Sequence, residues 1–355
     1  MVSALRVGIV GTGFAGEGHA AAYGRLPGVE VTALWNRTRS RAESLAVKLG
    51  SANVMVFDEW QGLVRNGGCD VISIATAPML RSAPLLEALD SGCHVLVEKP
   101  MSIGVPEARI MANAAEDAET VTACSFNWRY APAYQTAIKA IRSGQLGAIR
   151  DVRTEWFARI GQDFFSEDDW RARMDVSNGG LGEGLSHDFD KARFLTGKEF
   201  AALVSKVTPV YIKQDDFLVE GGRALLLAEL SDGVLGQFGL CVTAGEDLWR
   251  LLIVGDEGSL RIPDAGTIVV RQRHDDDEPV ELEIAAVDRL DPGADLMQHT
   301  WNRLVEDFVN AVRDDDRRHE RHKDLPSLSD GLRTEEIIEA ARRSSNERQW
   351  ATVGS

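Results

Sequence analysis

The 355-residue chain predicts an α/β protein in two parts: an N-terminal doubly wound parallel sheet, then an α+β domain with a large, mainly antiparallel open sheet. Three observations carry that prediction. The first third alternates short apolar runs with helical stretches. After about residue 125 strands follow strands, and a glycine-rich turn joins the first run to the first helix.

The runs of the first part are Leu5–Val10, Val29–Trp35, Val54–Phe57, Val71–Ala75, His94–Val97 and Val121–Cys124. They are apolar at nearly every position, as strands covered on both faces must be. Between them Arg39–Leu49, Arg81–Asp90 and Pro106–Asp117 carry apolar residues at helical spacing. Alternation at this interval implies right-handed crossovers and a parallel sheet. A helix at Pro132–Arg142 then leads into Ile149–Phe157, Ala201–Ile212, Ala224–Leu230, Val234–Val242, Leu248–Val254 and Ser259–Ile262. Turns such as Ser231-Asp232-Gly233 and Asp256-Glu257-Gly258 join neighbours in antiparallel fashion. Helices near Gly180–Leu195, Leu296–Arg313 and Ser329–Arg343 pack on this sheet or back on the first domain. The domains expected are residues 1–124 and 125–355. The charge run Asp314-Asp315-Asp316-Arg317-Arg318 reads as a solvated connector.

With 44% hydrophobic and 26% charged residues, the composition excludes a disordered or low-complexity chain. Acidic residues outnumber basic ones 55 to 39, and a net charge of −16 repels phosphate backbones and anionic lipid. Neither nucleic acid nor a membrane is an expected partner. No apolar run approaches the roughly 18 residues that span a bilayer. The start, MVSALRVGIV, runs into a strand without a signal-peptide cleavage site. Cys69, Cys93, Cys124 and Cys241 form no Cys-x-x-Cys pair, so they suit buried thiols in a reducing cytoplasm.

Gly11, Gly13 and Gly16 stand in G-x-G-x-x-G spacing between the first strand and the first helix. The first allows a tight turn, the second close backbone approach to a pyrophosphate, and the third helix–strand packing. The loop, with Thr12, Phe14 and Ala15, therefore reads as a Rossmann dinucleotide site at a helix N-terminus. About twenty residues on, an NAD site would carry a carboxylate for the ribose 2′-hydroxyl. Here Asn36-Arg37-Thr38-Arg39 follows Trp35, which favours NADP(H) over NAD(H). The alternative makes Arg37 and Arg39 exposed residues at a helix start. Lys99, at the end of the fifth strand and before Pro100, is a candidate acid/base.

The glycine loop, Glu98-Lys99-Pro100 and Gly179-Gly-Leu-Gly-Glu-Gly-Leu-Ser-His187-Asp-Phe-Asp190 occur in an order that resembles the glucose-fructose oxidoreductase / inositol dehydrogenase (Gfo/Idh/MocA) family. Phe126-Asn127, Trp170-Arg171 and the Gly331-Leu332 helix extend the resemblance along most of the chain. It implies that Lys99 is an active-site acid/base before a cis-proline bond, and that His187, with the acidic Glu183 one turn earlier, assists proton transfer. Glu183 and His187, four apart, then share a helix face, with Asp190 a third partner. The resemblance also implies cofactor contacts at Arg41, Ala75, Thr76, Glu98, Lys99 and Asn127, and substrate contacts at Lys99, Asn127, Trp170, Glu183 and His187. No metal site is expected, because Glu183 and His187 lack a third ligand.

The sequence departs from the family pattern at three places. Glu183 stands for the usual aspartate, Leu185 for a glycine, and Thr76-Ala-Pro-Met-Leu-Arg81 for Thr-Pro-Asn-x-x-His in the loop that lines the nicotinamide ribose. Trp156, Trp170, Trp249 and Trp301 read as packing, with Trp170 able to line a sugar site; His19 reads as structural, and Asn127 and Arg129 fall near the expected interdomain cleft. The function implied is NAD(P)-dependent oxidation or reduction of a secondary alcohol or ketone on a sugar, polyol or related cyclic compound. The alternatives are a redox-neutral NAD-dependent glycoside hydrolase and a non-catalytic dinucleotide or sugar sensor. By resemblance, a homodimer or homotetramer forms through the outer face of the second sheet.

Overall fold

The computed structural model describes residues 4–51, 53–158, 170–212, 217–263, 268–290 and 295–354. The chain opens with β1 (Leu5–Val10), α1 (Phe14–Gly24), β2 (Val29–Trp35), α2 (Arg39–Leu49), β3 (Met55–Val56) and α3 (Trp60–Asn66). It continues through β4 (Val71–Ile74), α4 (Ser82–Asp90), β5 (His94–Glu98), α5 (Val105–Asp117) and β6 (Thr122–Ser125). The strands make a six-stranded sheet in the order β3-β2-β1-β4-β5-β6, every neighbouring pair parallel. The direction of winding reverses between β1 and β4, and ligands of such sheets bind outside the strand ends at that reversal. Ile72, Ile74, Val95 and Val97 are fully buried between the helix layers, as the unbroken apolar runs require.

Next come α6 (Pro132–Arg142), β7 (Ile149–Phe157), α7 (Met174–Ser177), α8 (Ser186–Thr196), β8 (Phe200–Ile212), β9 (Phe217–Leu230) and β10 (Leu235–Cys241). Then follow β11 (Leu248–Gly255), β12 (Gly258–Ile262), β13 (Val270–Arg273), β14 (Val280–Glu281), α9 (Leu296–Arg313), α10 (Leu328–Glu347) and β15 (Ala351–Thr352). The second sheet has nine strands in the order β14-β13-β12-β11-β7-β10-β9-β8-β15. Its pairs are antiparallel except β7 with β10, which run parallel. Strand β9 begins seven residues before the expected Ala224, and its alternation, regular from Phe217, shifts the inward face by one position where Gly221 and Gly222 are both buried. Gly221 sits at φ +64°, and the register of β8 slips opposite, between Thr208 and Val210.

Two compact units result: residues 1–127 with 294–332, and residues 128–293 with 333–355. A single boundary after residue 124 leaves out this return of the chain. In the first unit α9 packs on α1, with the Trp301 indole lying where a Cβ at Gly18 would be. In the second, the helix expected over 180–195 is instead short α7, a π-helical turn at Leu181–Leu185, and then α8. Asn178 at φ 64° and Gly179 at φ 54° end α7. Gly184 lies flush on the Trp156 ring, where any Cβ would collide. Among the described residues no helix is long and apolar enough to cross a membrane.

Candidate active site

The glycine loop connects β1 to α1 at the sheet's switch point. Gly11 has φ +103°, and a Cβ there would stand 2.7 Å from the Ala75 carbonyl. A Cβ at Gly16 would strike the Gly11 carbonyl oxygen. The fold itself therefore demands glycine at both positions. A Cβ at Gly13 meets nothing within 4 Å. What requires glycine there is whatever fills that space, as the close approach of a phosphate would. Nearby, the Thr12 and Thr76 hydroxyls are buried without a hydrogen-bond partner. Buried hydroxyls ordinarily find partners. Open space, two orphan hydroxyls and the N-terminus of α1 together fit a dinucleotide pyrophosphate. Beside the loop a cleft of about 330 Å³ is lined by Val10, Trp35, Thr76, Met79, Leu80 and Pro84. Its mostly apolar lining suits a nucleotide base. Phe14 is exposed, its ring edge-on to Trp301 at 5.2 Å.

The end of β2 differs from the expectation in detail. The Asn36 side-chain oxygen accepts the Thr38 N–H at 2.9 Å and so shapes the turn. Arg39 is held by Glu43 at 2.8 Å and by Asp58, which brings two carboxylates to a stretch that has none in sequence. Arg37 and Arg41 remain exposed, and no ion pair engages either among the described residues.

The Lys99–Pro100 peptide is cis and follows directly on β5. Lys99 itself is half-buried. Glu98, expected among the cofactor contacts, turns inward and is 5% exposed. Its Oε1 accepts from His19 Nε2 (3.0 Å), Ser125 Oγ (2.7 Å) and Trp301 Nε1 (3.2 Å), while Oε2 accepts the Lys99 N–H (3.0 Å). Burial pushes the Glu98 carboxyl up, but the His19 hydrogen bond and the charges of His19, Arg81 and Lys99 outweigh it and hold the group at about 2. His19 is fully buried, its Nδ1 2.7 Å from Ser73 Oγ. Asn127 is also turned inward, 3% exposed, and donates to Thr300 Oγ1 at 2.7 Å. Its amide nitrogen thus serves the fold, not a ligand.

In the second unit every residue from Leu181 to Asp190 is buried except Glu183 and His187. The four-residue spacing crosses from the π-helical turn into α8, and the two residues are half-buried in an otherwise buried segment. Asp190 is engaged by Arg129, with Nε to Oδ2 at 2.8 Å and Nη2 to Oδ1 at 2.5 Å, both residues buried. Arg129 thus grips the Asp190 carboxylate in a bidentate pair. Trp128, which no sequence feature singled out, stands edge-on to His187 at 6.4 Å and to Trp249 at 4.8 Å. Trp249 in turn meets Trp156 at 5.4 Å, so aromatic packing runs from His187 back to the ring beneath Gly184. Trp170 is half-buried in a 3-10 turn. Lys99 belongs to the first unit, and Glu183 and His187 to the second.

Two outcomes follow from this geometry. Gly13→Ala should melt like the wild type but weaken dinucleotide binding in a fluorescence titration, whereas Gly16→Ala should lose about 1–3 kcal/mol of stability or more. A matching loss of stability at Gly13 would disprove the ligand-filled gap. Because the Glu98 carboxyl titrates lower in the folded chain than in the unfolded one, its contribution is complete above the unfolded carboxyl's range and disappears as pH falls toward 2. Acid unfolding of the wild type below about pH 5 should therefore remove up to about 3 kcal/mol that Glu98→Gln never has.

Two family models match the chain. Residues 5–126 match the Gfo/Idh/MocA oxidoreductase family with an NAD-binding Rossmann fold, and residues 134–261 match the Gfo/Idh/MocA C-terminal domain. The levoglucosan dehydrogenase of Pseudarthrobacter phenanthrenivorans is 29% identical over 241 residues, 65% of this chain and 61% of that protein. The scyllo-inositol 2-dehydrogenase (NAD+) of Bacillus subtilis is 24% identical over 269 residues, 73% of each chain. Among solved structures, a levoglucosan dehydrogenase in complex with NADH superposes with a TM-score of 0.87 at 22% identity, covering 99% of this chain and all of that one. With an anion-fitting glycine loop at the switch point of a six-stranded sheet and both family domains in sequence, the chain belongs to the Gfo/Idh/MocA family of oxidoreductases.

Proposed function

We propose that this oxidoreductase prefers NADP(H) and interconverts a secondary alcohol and ketone on a sugar, polyol or related cyclic compound, with Lys99 and His187 as the proton-transfer pair. The observation that carries the reading is a buried segment, Leu181–Asp190, in which only an acidic residue and a histidine are left half-buried, in a chain whose first sheet ends a strand at Glu98-Lys99-Pro100. The names of the relatives, a levoglucosan dehydrogenase and an inositol dehydrogenase, support the substrate class.

The loop Gly11–Gly16 with Thr12 and Thr76 would hold the pyrophosphate, and the cleft beside Trp35 the base. When bound, the nicotinamide supplies the hydride acceptor or donor. In the oxidative direction the Lys99 amine takes the proton of the reacting hydroxyl; in reduction it returns one. His187 hydrogen-bonds the same oxygen and fixes which hydroxyl reacts, while Glu183 orients the imidazole. Arg37 and Arg41, exposed and not engaged in ion pairs, favour a 2′-phosphate at the end of β2, with Thr38 between them. Exposed Tyr211, Leu218, Leu225, Leu227 and Leu235 on the second sheet support self-association through that face.

Titration of the tryptophan fluorescence with NADPH and with NADH tests the cofactor reading. Tighter NADPH binding is expected, and Arg37→Ala with Arg41→Ala should abolish the difference; tighter NADH binding in the wild type would overturn it. Lys99→Ala should lower turnover on a sugar or polyol by about two to four orders of magnitude with dinucleotide affinity kept. Near-wild-type turnover by that variant would remove Lys99 from the chemistry.

A further inference from the structure

Arg81 is 3% exposed. Three of its hydrogen bonds go to backbone carbonyls. Nε donates to the Thr76 carbonyl at 2.8 Å, and Nη1 donates to the Glu98 carbonyl at 2.6 Å and to the Pro100 carbonyl. A buried guanidinium is tolerated only where acceptors meet its donors, and its rigid planar fork spans separated acceptors that a point charge does not. Here the acceptors come from two segments. Thr76 lies in the loop after β4, with its backbone against Gly11 and its own hydroxyl buried without a partner. Glu98 and Pro100 flank Lys99.

The consequence for Lys99 is geometric. The Glu98 carbonyl and the Lys99 N–H belong to one planar peptide. Arg81 holds its oxygen, and Glu98 Oε2 holds its N–H at 3.0 Å. That carboxylate is in turn fixed through Oε1 by His19, Ser125 and Trp301. Beyond Lys99, the Pro100 carbonyl is bound to the same guanidinium. With the preceding peptide pinned at both ends and the following residue anchored, the Cα–Cβ direction of Lys99 is set by its neighbours before any substrate arrives.

We propose that Arg81 is a positioning residue: by bridging the loop after β4 to both backbone carbonyls that flank Lys99, it holds the lysine in its working direction and ties that direction to the cofactor-facing loop. The inference rests on the reading of Lys99 as the proton-transfer group. It also gives the departure at Arg81 from the family's usual histidine a definite role.

The test uses full-length Arg81→Lys and Arg81→Ala. Hydrogen exchange followed by mass spectrometry should show the amides around Lys99 exchanging about tenfold faster or more in both, with the helices of the second unit unchanged. Turnover should fall by about a hundredfold while NADPH affinity and substrate KM change little, since a misdirected amine affects the chemical step. Millimolar guanidinium should restore part of the turnover of Arg81→Ala, and ammonium should not. Wild-type exchange at the Lys99 turn, a fall in dinucleotide affinity that matches the fall in turnover, or failure of both variants to fold would each overturn the proposal. Faster exchange at the turn in a protein whose wild type oxidises no sugar or polyol would leave the pinning in place and refute the proposed function instead.

Discussion

The Glu98 carboxylate is the constraint on which the first unit is built. An ionised carboxyl at 5% exposure is tolerable only if donors replace the water it loses. Those donors arrive from α1 (His19), β6 (Ser125), α9 (Trp301) and the backbone of the next residue. Three elements far apart in sequence are thereby required to converge on the end of β5. The return of the chain at 294–332 to the first unit has the same cause in part: without Trp301 one donor to Oε1 is missing, and α1 loses the ring that covers Gly18. The charge that organises this core lies one residue before the lysine proposed to move protons, so fold and site share one set of contacts.

The glycines divide along a similar line. Gly11, Gly16 and Gly18 are glycine because backbone or a tryptophan ring occupies the place of a side chain. Gly13 is surrounded by open space, and its identity makes sense only with a ligand. Identical letters in one motif thus answer to two different pressures, which only the surroundings separate.

Much of the architecture was legible because it depends on local pattern. Runs such as Leu5–Val10 and Val29–Trp35 and the helix Leu296–Arg313 have the bounds their apolar spacing predicts. The glycine loop could be picked out for the same reason, as a short spacing between residues of distinctive type; Lys99 stood out by its place at a strand end before Pro100, and it and the Glu183–His187 pair gained their roles only from the resemblance to the family. What escaped is non-local. The two-residue strands β14 and β15 are too short for alternation to register, and Val270–Arg273 carries two arginines and a glutamine. Nothing in β7 or β10 says that they run parallel, since alternation carries no direction. The inward turn of Glu98 and Asn127 depends on His19, Trp301 and Thr300, each at least 79 residues away from the residue it binds. The capture of Arg39 by Asp58 is likewise tertiary.

The π-helical turn shows how packing shapes the departures near His187. Gly184 must be glycine because Trp156 lies against it, and Trp156 is held in turn by Trp249, which meets Trp128 beside His187. A glycine-rich segment pressed on an aromatic ring has little side-chain packing of its own to keep an α-helical register. The wider turn takes up the slack, and such turns gather at functional positions. Leu185, where the family has a glycine, is fully buried and supplies apolar anchorage at the end of that turn. Leu185, one departure from the family pattern, thus helps to seat the turn, while Glu183, another departure, and His187 are the two residues of the segment left partly exposed. A segment built this way keeps its polar pair fixed by burying everything around it.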